Sequence, residues 1–378
     1  MPRLRCLPLC LLALVPVAAQ RLVWQPQPSP STASLRGLSV VSARLAWASG
    51  SGGAVLRTRD GGAHWTRIPA PGAANLDFRD IKAFSARLAY LMAIGPQGGI
   101  FKTSDGGAHW REQYTNPDPA FFLDALAFWD ANHGLALGDP LDGRFLLLRT
   151  DDGGQSWQPA AVVPPALPGE GAFAASGTAL VVLPGHPHGH PDAWFATGGA
   201  GTARLFHSLD RDRTWRAATT PLRAGSAGAG IFSLAFWNRS DGVAVGGDYT
   251  QPSQTAGNVA LTEDGGARWN LPPAAPPAGY RSAVAVVPGA RPHPWLVAVG
   301  PTGADLSCDG GNHWSPVSAR PLNSIAFAPD GSGWAVGPRG AVVHVTLAAP
   351  APRSSRPAGC PPDPGKTPST PPPAPAGR

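Results

Sequence analysis

One eight-residue pattern, Ser/Thr-x-Asp-x-Gly-x-x-Trp, recurs along the chain and constrains its fold more than any other feature. Residues 58–65, 103–110, 150–157, 262–269 and 307–314 keep every defined position, and 208–215 is a worn copy with Asp212 in place of the glycine. The first residues of the six copies are separated by 45, 47, 58, 54 and 45 positions, the period of a repeat architecture. Its physics is that of a hairpin turn. The aspartate bonds nearby backbone amides, the glycine supplies a positive φ, and the tryptophan opens the next strand facing the core. Asp60, Asp105, Asp152, Asp210, Asp264 and Asp309 are therefore expected to be structural turn residues. Asp212 is tolerable because Asp visits the left-handed region more readily than most residues. With Gly 47 and Pro 44 of 378 residues and only 14% charged, the sequence suits many short strands and not long helices.

The octapeptide resembles the Asp-box, or BNR, repeat of β-propeller proteins, in which the box lies between the third and fourth strands of a blade. Reading outward from each copy gives the same four-strand unit. In the second it runs 78–84, 89–94, 99–103 and 110–114, and the six units span about 35–69, 78–114, 121–159, 169–219, 230–271 and 280–317. A seventh starts at Leu322, continues through 333–337 and 341–347, and stops without a box or a fourth strand. Residues 21–28, with Trp24 matching the box tryptophans, would supply that strand as an N-terminal latch. The expected fold is all-β: a seven-bladed propeller of four-stranded blades over residues 20–347.

Residues 1–19 read as a secretory signal: Arg3 and Arg5, an apolar run from Cys6 to Pro16, and the small residues Val17, Ala18 and Ala19. That run is too short to span a bilayer, so a periplasmic or secreted protein without membrane insertion is expected. Cleavage leaves Cys308 and Cys360, at most one disulfide. Residues 348–378 are rich in Pro, Ala, Gly and Ser, an expected disordered tail. The net charge of +6 includes Arg3 and Arg5, which argues against nucleic acid as a partner. A monomer is expected.

In such propellers one face carries the loops that lead into each innermost strand, opposite the box turns. Aligning the innermost strands places Arg36, Arg79, Arg281, Asp80, Asp124 and Glu170 on one rim, and second-to-third strand loops add Asp139, Asp142, Asp248 and Tyr249. Charges converging on one mouth are the strongest functional signal here. A competing reading is that they pair with each other and merely close the mouth. Arg67, Ile68 and Pro69 match a sialidase motif but follow the box instead of preceding it. His186, His188 and His190 form a cluster in a Pro/Gly loop with no carboxylates fixed nearby, so no metal site is expected. No Gly-x-Gly-x-x-Gly follows a strand, and no cofactor is expected.

Among Asp-box propellers the chain resembles the photosystem II stability/assembly factor family, from about Arg21 to Leu347. Arg79, Asp80 and Ile81, the stretch 102–107, and Ala127, Phe128, Trp129 and Asp130 carry this resemblance, with the seven-blade count. It implies an exported propeller without enzymatic activity that binds a membrane-protein precursor through an arginine-rich surface, here Arg36, Arg79 and Arg281. The expectation is a recognition scaffold for a protein or another anionic partner. The alternative is a secreted glycoside hydrolase, sialidase- or xyloglucanase-like, acting on a glycan with Asp124 and Glu170 as its carboxylate pair.

Overall fold

The computed structural model describes residues 21–70, 75–95, 98–183, 191–199 and 201–348. The expected secretory signal, His186, His188 and His190, and the expected disordered tail lie outside the described residues. The described strands form seven antiparallel sheets, and the one helical turn among the described residues is the 3-10 segment Pro338–Gly340. Six sheets follow chain order strand by strand. The seventh runs Arg21–Gln27, Val342–Ala348, Ser332–Val336, Ser324–Phe327. Innermost strands neighbour one another in chain order, and that of the seventh sheet lies beside that of the first. The protein is thus a seven-bladed β-propeller, with its core between successive blades.

The expected strands of blade 2 lie within one residue of those observed: Asp77–Ala83, Ala89–Ile94, Gly99–Thr103 and Arg111–Thr115. Blade 5 departs from the pattern. It has three strands, and in place of a fourth there is one bridge between Leu261 and Asn270, because Pro272, Pro273, Pro276 and Pro277 follow and cannot donate to a ladder.

All six octapeptides make the same turn. The Ser or Thr hydroxyl donates to the Asp carboxylate at 2.8–3.0 Å and accepts the N–H of the fifth residue at 2.7–2.9 Å. The same carboxylate accepts the N–H of the seventh residue at 2.8–3.0 Å. These bonds, led by the His64 and Ser156 amides, pull Asp60 and Asp152 down to about 2. The two central residues have positive φ in every copy, so the worn one holds Arg211 and Asp212 at 57° and 61°. Cys308, in the last copy, is disulfide-bonded.

Aromatic rings of the second strands stitch blades 1, 2, 4 and 7 to the blade that follows. Trp47, Tyr90, Trp194 and Trp334 are 0% exposed. Burial of about 150–250 Å² per large aromatic ring gives roughly 4–6 kcal/mol each. Their polar tips are also satisfied: Tyr90 donates to the Gly153 carbonyl at 2.6 Å and Trp194 to that of Gly265 at 2.8 Å, both in the octapeptide of the following blade. Between blades 7 and 1, Gln27 substitutes for that contact, its Oε1 accepting from Trp334 at 2.9 Å and Trp65 at 3.0 Å.

Side-chain bonds to backbone join the innermost strands. Ser39 accepts the Ala83 amide, Asp80 that of Leu126 and Ser233 that of Val284, at 2.8–2.9 Å. Blade 4 breaks this ring. Its innermost strand, expected from Gly169, is only Leu180–Leu183. Gly171 still pairs with Gly198, but residues 172–178 leave the sheet and meet blades on both sides. Ala174 accepts a 3.0 Å bond from Arg79 of blade 2, Ser176 donates to the Ser282 carbonyl of blade 6 at 2.9 Å, and Phe173 stacks on Phe232 of blade 5 at 3.8 Å. Contacts from blade 4 to blades 2 and 6 require the segment to cross the centre of the ring. Its sequence, Ala-Phe-Ala-Ala-Ser-Gly-Thr, has no alternation of large apolar residues to hold a strand in register, and its small side chains fit between backbones.

Candidate functional site

The crossing segment reorganises the expected rim. Arg281 is withdrawn from it: at 1% exposure it lies in an ion pair with Asp305, donates from Nε at 2.6 Å, and reaches the Tyr280 carbonyl and Thr302 hydroxyl at 2.9 and 2.7 Å. Asp80 is also buried, because residue 177 sits on it. Its carboxylate accepts the amides of Ile81 and Leu126 at 2.8 Å and pairs with Lys82 at 3.1 Å. Burial nevertheless pushes its pKa above the ordinary range, and Lys82 opposes that shift. Both side chains hold the fold and present no charge to a partner.

Asp124 and Glu170 are not brought together as a working pair. Glu170 accepts from Leu167 N–H at 2.8 Å, Thr197 Oγ1 at 2.6 Å and Arg204 Nε at 2.9 Å, and pairs with a second Arg204 nitrogen. That clamp occupies both oxygens. Asp124 is 0% exposed and neither of its oxygens has a hydrogen-bond partner among the described residues. Burial holds its pKa well above the carboxylate range, the neighbouring Asp139 raises it further, and Arg79 opposes. A nucleophile or acid must reach its substrate, and neither group is placed to do so.

The loop residues divide. Asp248 closes a turn, accepting from Thr250 N–H, Thr250 Oγ1 and Ser226 Oγ at 2.6–2.9 Å, led by the Thr250 hydroxyl, and these bonds hold its pKa down. Asp142 is an exposed turn residue at φ 51°. Tyr249 stands 53% exposed with its ring edge-on to Phe232 at 6.2 Å. Asp139 is half-buried and accepts the Ala172 amide at 3.0 Å.

Arg36 and Arg79 remain from the predicted rim as neighbours. Arg79 donates to Asp77 at 2.7 Å as well as to Ala174. Arg36 is half-buried and hydrogen-bonds nothing among the described residues. Burial lowers its pKa first and the Arg79 charge second, while Tyr280 and Asp77 act in the opposite direction. Blades 1, 2 and 6 thus converge on two guanidinium groups and one local carboxylate, Asp77, which bonds Arg79. Alignment of innermost strands found Arg36 and Arg79. It missed Asp77 and the carbonyl of Ala174, and the absence of strand alternation over 172–178 was the signal that this segment lies elsewhere.

Fold and site together define a seven-bladed propeller with Arg36 and Arg79 side by side on neighbouring innermost strands. Neither a family model nor a curated protein sequence matches the chain. Its solved structural likenesses include "YCF48 bound to D1 peptide", 15% identical with a TM-score of 0.58, covering 85% of this chain and 96% of that one. YCF48 from Cyanidioschyzon merolae is 17% identical, with a TM-score of 0.54 over 85% and 98% of the two chains. A streptogramin B lyase is similar to the same degree: 14% identity and a TM-score of 0.52 over 87% and 98%. A propeller bound to a D1 peptide and a streptogramin B lyase share this architecture, so the likeness establishes the fold, and function rests on the site.

Proposed function

We propose that the protein is an exported, non-catalytic recognition scaffold that binds an acidic segment of a partner protein at Arg36 and Arg79. The observation that carries this reading is the Arg36 guanidinium, held half-buried beside a second arginine without a hydrogen bond from the described chain. Two like charges brought together at a cost in desolvation suit a carboxylate that bridges them, and arginine pairs with carboxylates through two parallel bonds. The solved propeller that holds a D1 peptide supports a peptide ligand. The clamped Glu170 and enclosed Asp124 weigh against the hydrolase alternative.

Arg36→Glu tests the proposal because it breaks no hydrogen bond among the described residues. An acidic peptide captured from envelope proteins, or a synthetic Asp/Glu-rich peptide, should lose at least about tenfold in affinity, with a weaker salt dependence than the parent. Unchanged affinity in Arg36→Glu sinks the scaffold reading. So does glycan turnover that Asp124→Asn with Glu170→Gln abolishes.

A further inference from the structure

A cleft of about 640 Å³ opens beside the crossing segment, between Pro140 and Gly143 of blade 3 and the blade 4 loop through Leu167 and Gly169. Its walls are mostly glycine, alanine and proline, which let another backbone approach closely. It is lined by two carboxylates of different standing. Glu170 is spent on Arg204, whereas Asp139 takes one amide on Oδ1, and its Oδ2 bonds nothing among the described residues. Asp124 adjoins Asp139, fully buried with both oxygens unpartnered.

Two carboxyl groups therefore adjoin each other, and because burial penalises the charge of each, a bound cation would stabilise the Asp139 carboxylate. The cations nearby are committed elsewhere: Arg79 to Asp77 and Ala174, Lys82 to Asp80 and Gly177, Arg204 to Glu170 and Pro165. Half-buried Phe173 lines the same cleft, its ring stacked on Phe232. A carboxylate and an aromatic ring in one concave site recognise a cation.

We propose that this cleft binds a basic side chain, arginine or lysine, carried on an extended small-residue segment of a partner protein. Asp139 accepts the hydrogen bonds of the cationic head, Phe173 supports it by cation–π attraction, and the glycine and alanine walls admit the flanking backbone. The volume is that of a ligand pocket of about 300–1,000 Å³. The charge is opposite to that sought by Arg36 and Arg79, so the site stands independently of the arginine mouth.

The test is calorimetric titration of the purified protein with the acetylated, amidated peptide Ala-Pro-Arg-Ala and with its citrulline analogue, which keeps the shape and removes the charge. The arginine peptide should bind at least about tenfold more tightly than the citrulline peptide, and Asp139→Asn should abolish that difference. Ala120→Arg, at an exposed position on the cleft lip, should block the arginine peptide without touching the core. Arg36→Glu should leave this binding unchanged while it destroys capture of acidic peptide, so failure of one site is distinguishable from failure of the other. Equal binding of the two peptides, or affinity within about twofold of the parent in both Asp139→Asn and Ala120→Arg, overturns the proposal. No heat of binding at roughly 1 mM arginine peptide overturns it as well.

Discussion

Gly177→Ala probes the segment that crosses the ring. Gly177 has φ +74°, and a Cβ there would lie 2.2 Å from the Asp80 carboxyl carbon and 2.2 and 2.4 Å from its oxygens. The backbone conformation alone costs about 1–2 kcal/mol for an L-residue. The contact adds to this because Asp80 has nowhere to retreat: its oxygens are held by two backbone amides at 2.8 Å and by Lys82. Moving the carboxylate sacrifices at least one buried charge-assisted bond, about 1.5–3 kcal/mol. The expected loss is thus about 2.5–5 kcal/mol, read as a lower midpoint of urea unfolding at constant slope. Gly225→Ala is the control, since Gly225 has φ +92° with nothing within 4 Å of the added carbon, and should lose only about 1–2 kcal/mol. In an Asp80→Ala background the cost of Gly177→Ala should fall to that of the control, a coupling of about 1.5–3 kcal/mol. Equal costs for the two glycines in the parent, or the same cost for Gly177→Ala in both backgrounds, would refute the placement of the segment against blade 2.

Asp212→Gly, which restores the repeat, should stabilise the protein by about 1–3 kcal/mol at pH 7 by removing left-handed strain and a buried carboxyl. Burial raises Asp212 to about 6, so the unfolded chain releases this proton first and parent stability falls as pH rises from about 4 to about 6. The gain in Tm should accordingly be larger at pH 7 than at pH 4, and an equal gain at both would refute the assignment. Asp305→Ala strands the buried Arg281 and should cost about 3–5 kcal/mol in chemical unfolding, most of it recovered by Arg281→Met with Asp305→Leu. Gln27→Leu leaves the indole N–H groups of Trp65 and Trp334 without their acceptor and should cost about 2–4 kcal/mol, measured the same way; a loss below about 0.5 kcal/mol would remove Gln27 from the seam between blades 7 and 1.

The blades were legible because local chemistry specifies them. Ser/Thr, Asp and Gly make the turn within eight residues, and the tryptophan after it has one apolar place to go, so the strands of blade 2 follow within one residue, whereas the innermost strand of blade 4 and the fourth strand of blade 5 do not. The sheet that joins Arg21–Gln27 to Val342–Ala348 was likewise readable, since the seventh unit lacked a strand and Trp24 matched the box column. The candidate site was only half legible. Alignment names which residues begin the innermost strands, but whether a charge stays exposed depends on what packs against it from distant blades. Arg281 looked like Arg36 in that alignment, yet Asp305 on the third strand of its own blade binds one and no described group binds the other.

Blade count, turn chemistry and the column of buried rings were determined by the sequence itself, because each depends on neighbours fewer than about ten residues away or on a period repeated six times. Tertiary structure alone decided that residues 172–178 leave their strand, that Glu170 is clamped by Arg204, and that Arg36 and Arg79 come to lie near each other. Those outcomes turn on contacts between blades far apart in the chain. Small residues and single charges carry too little local preference to announce them, and only closure of the ring brings their partners within reach.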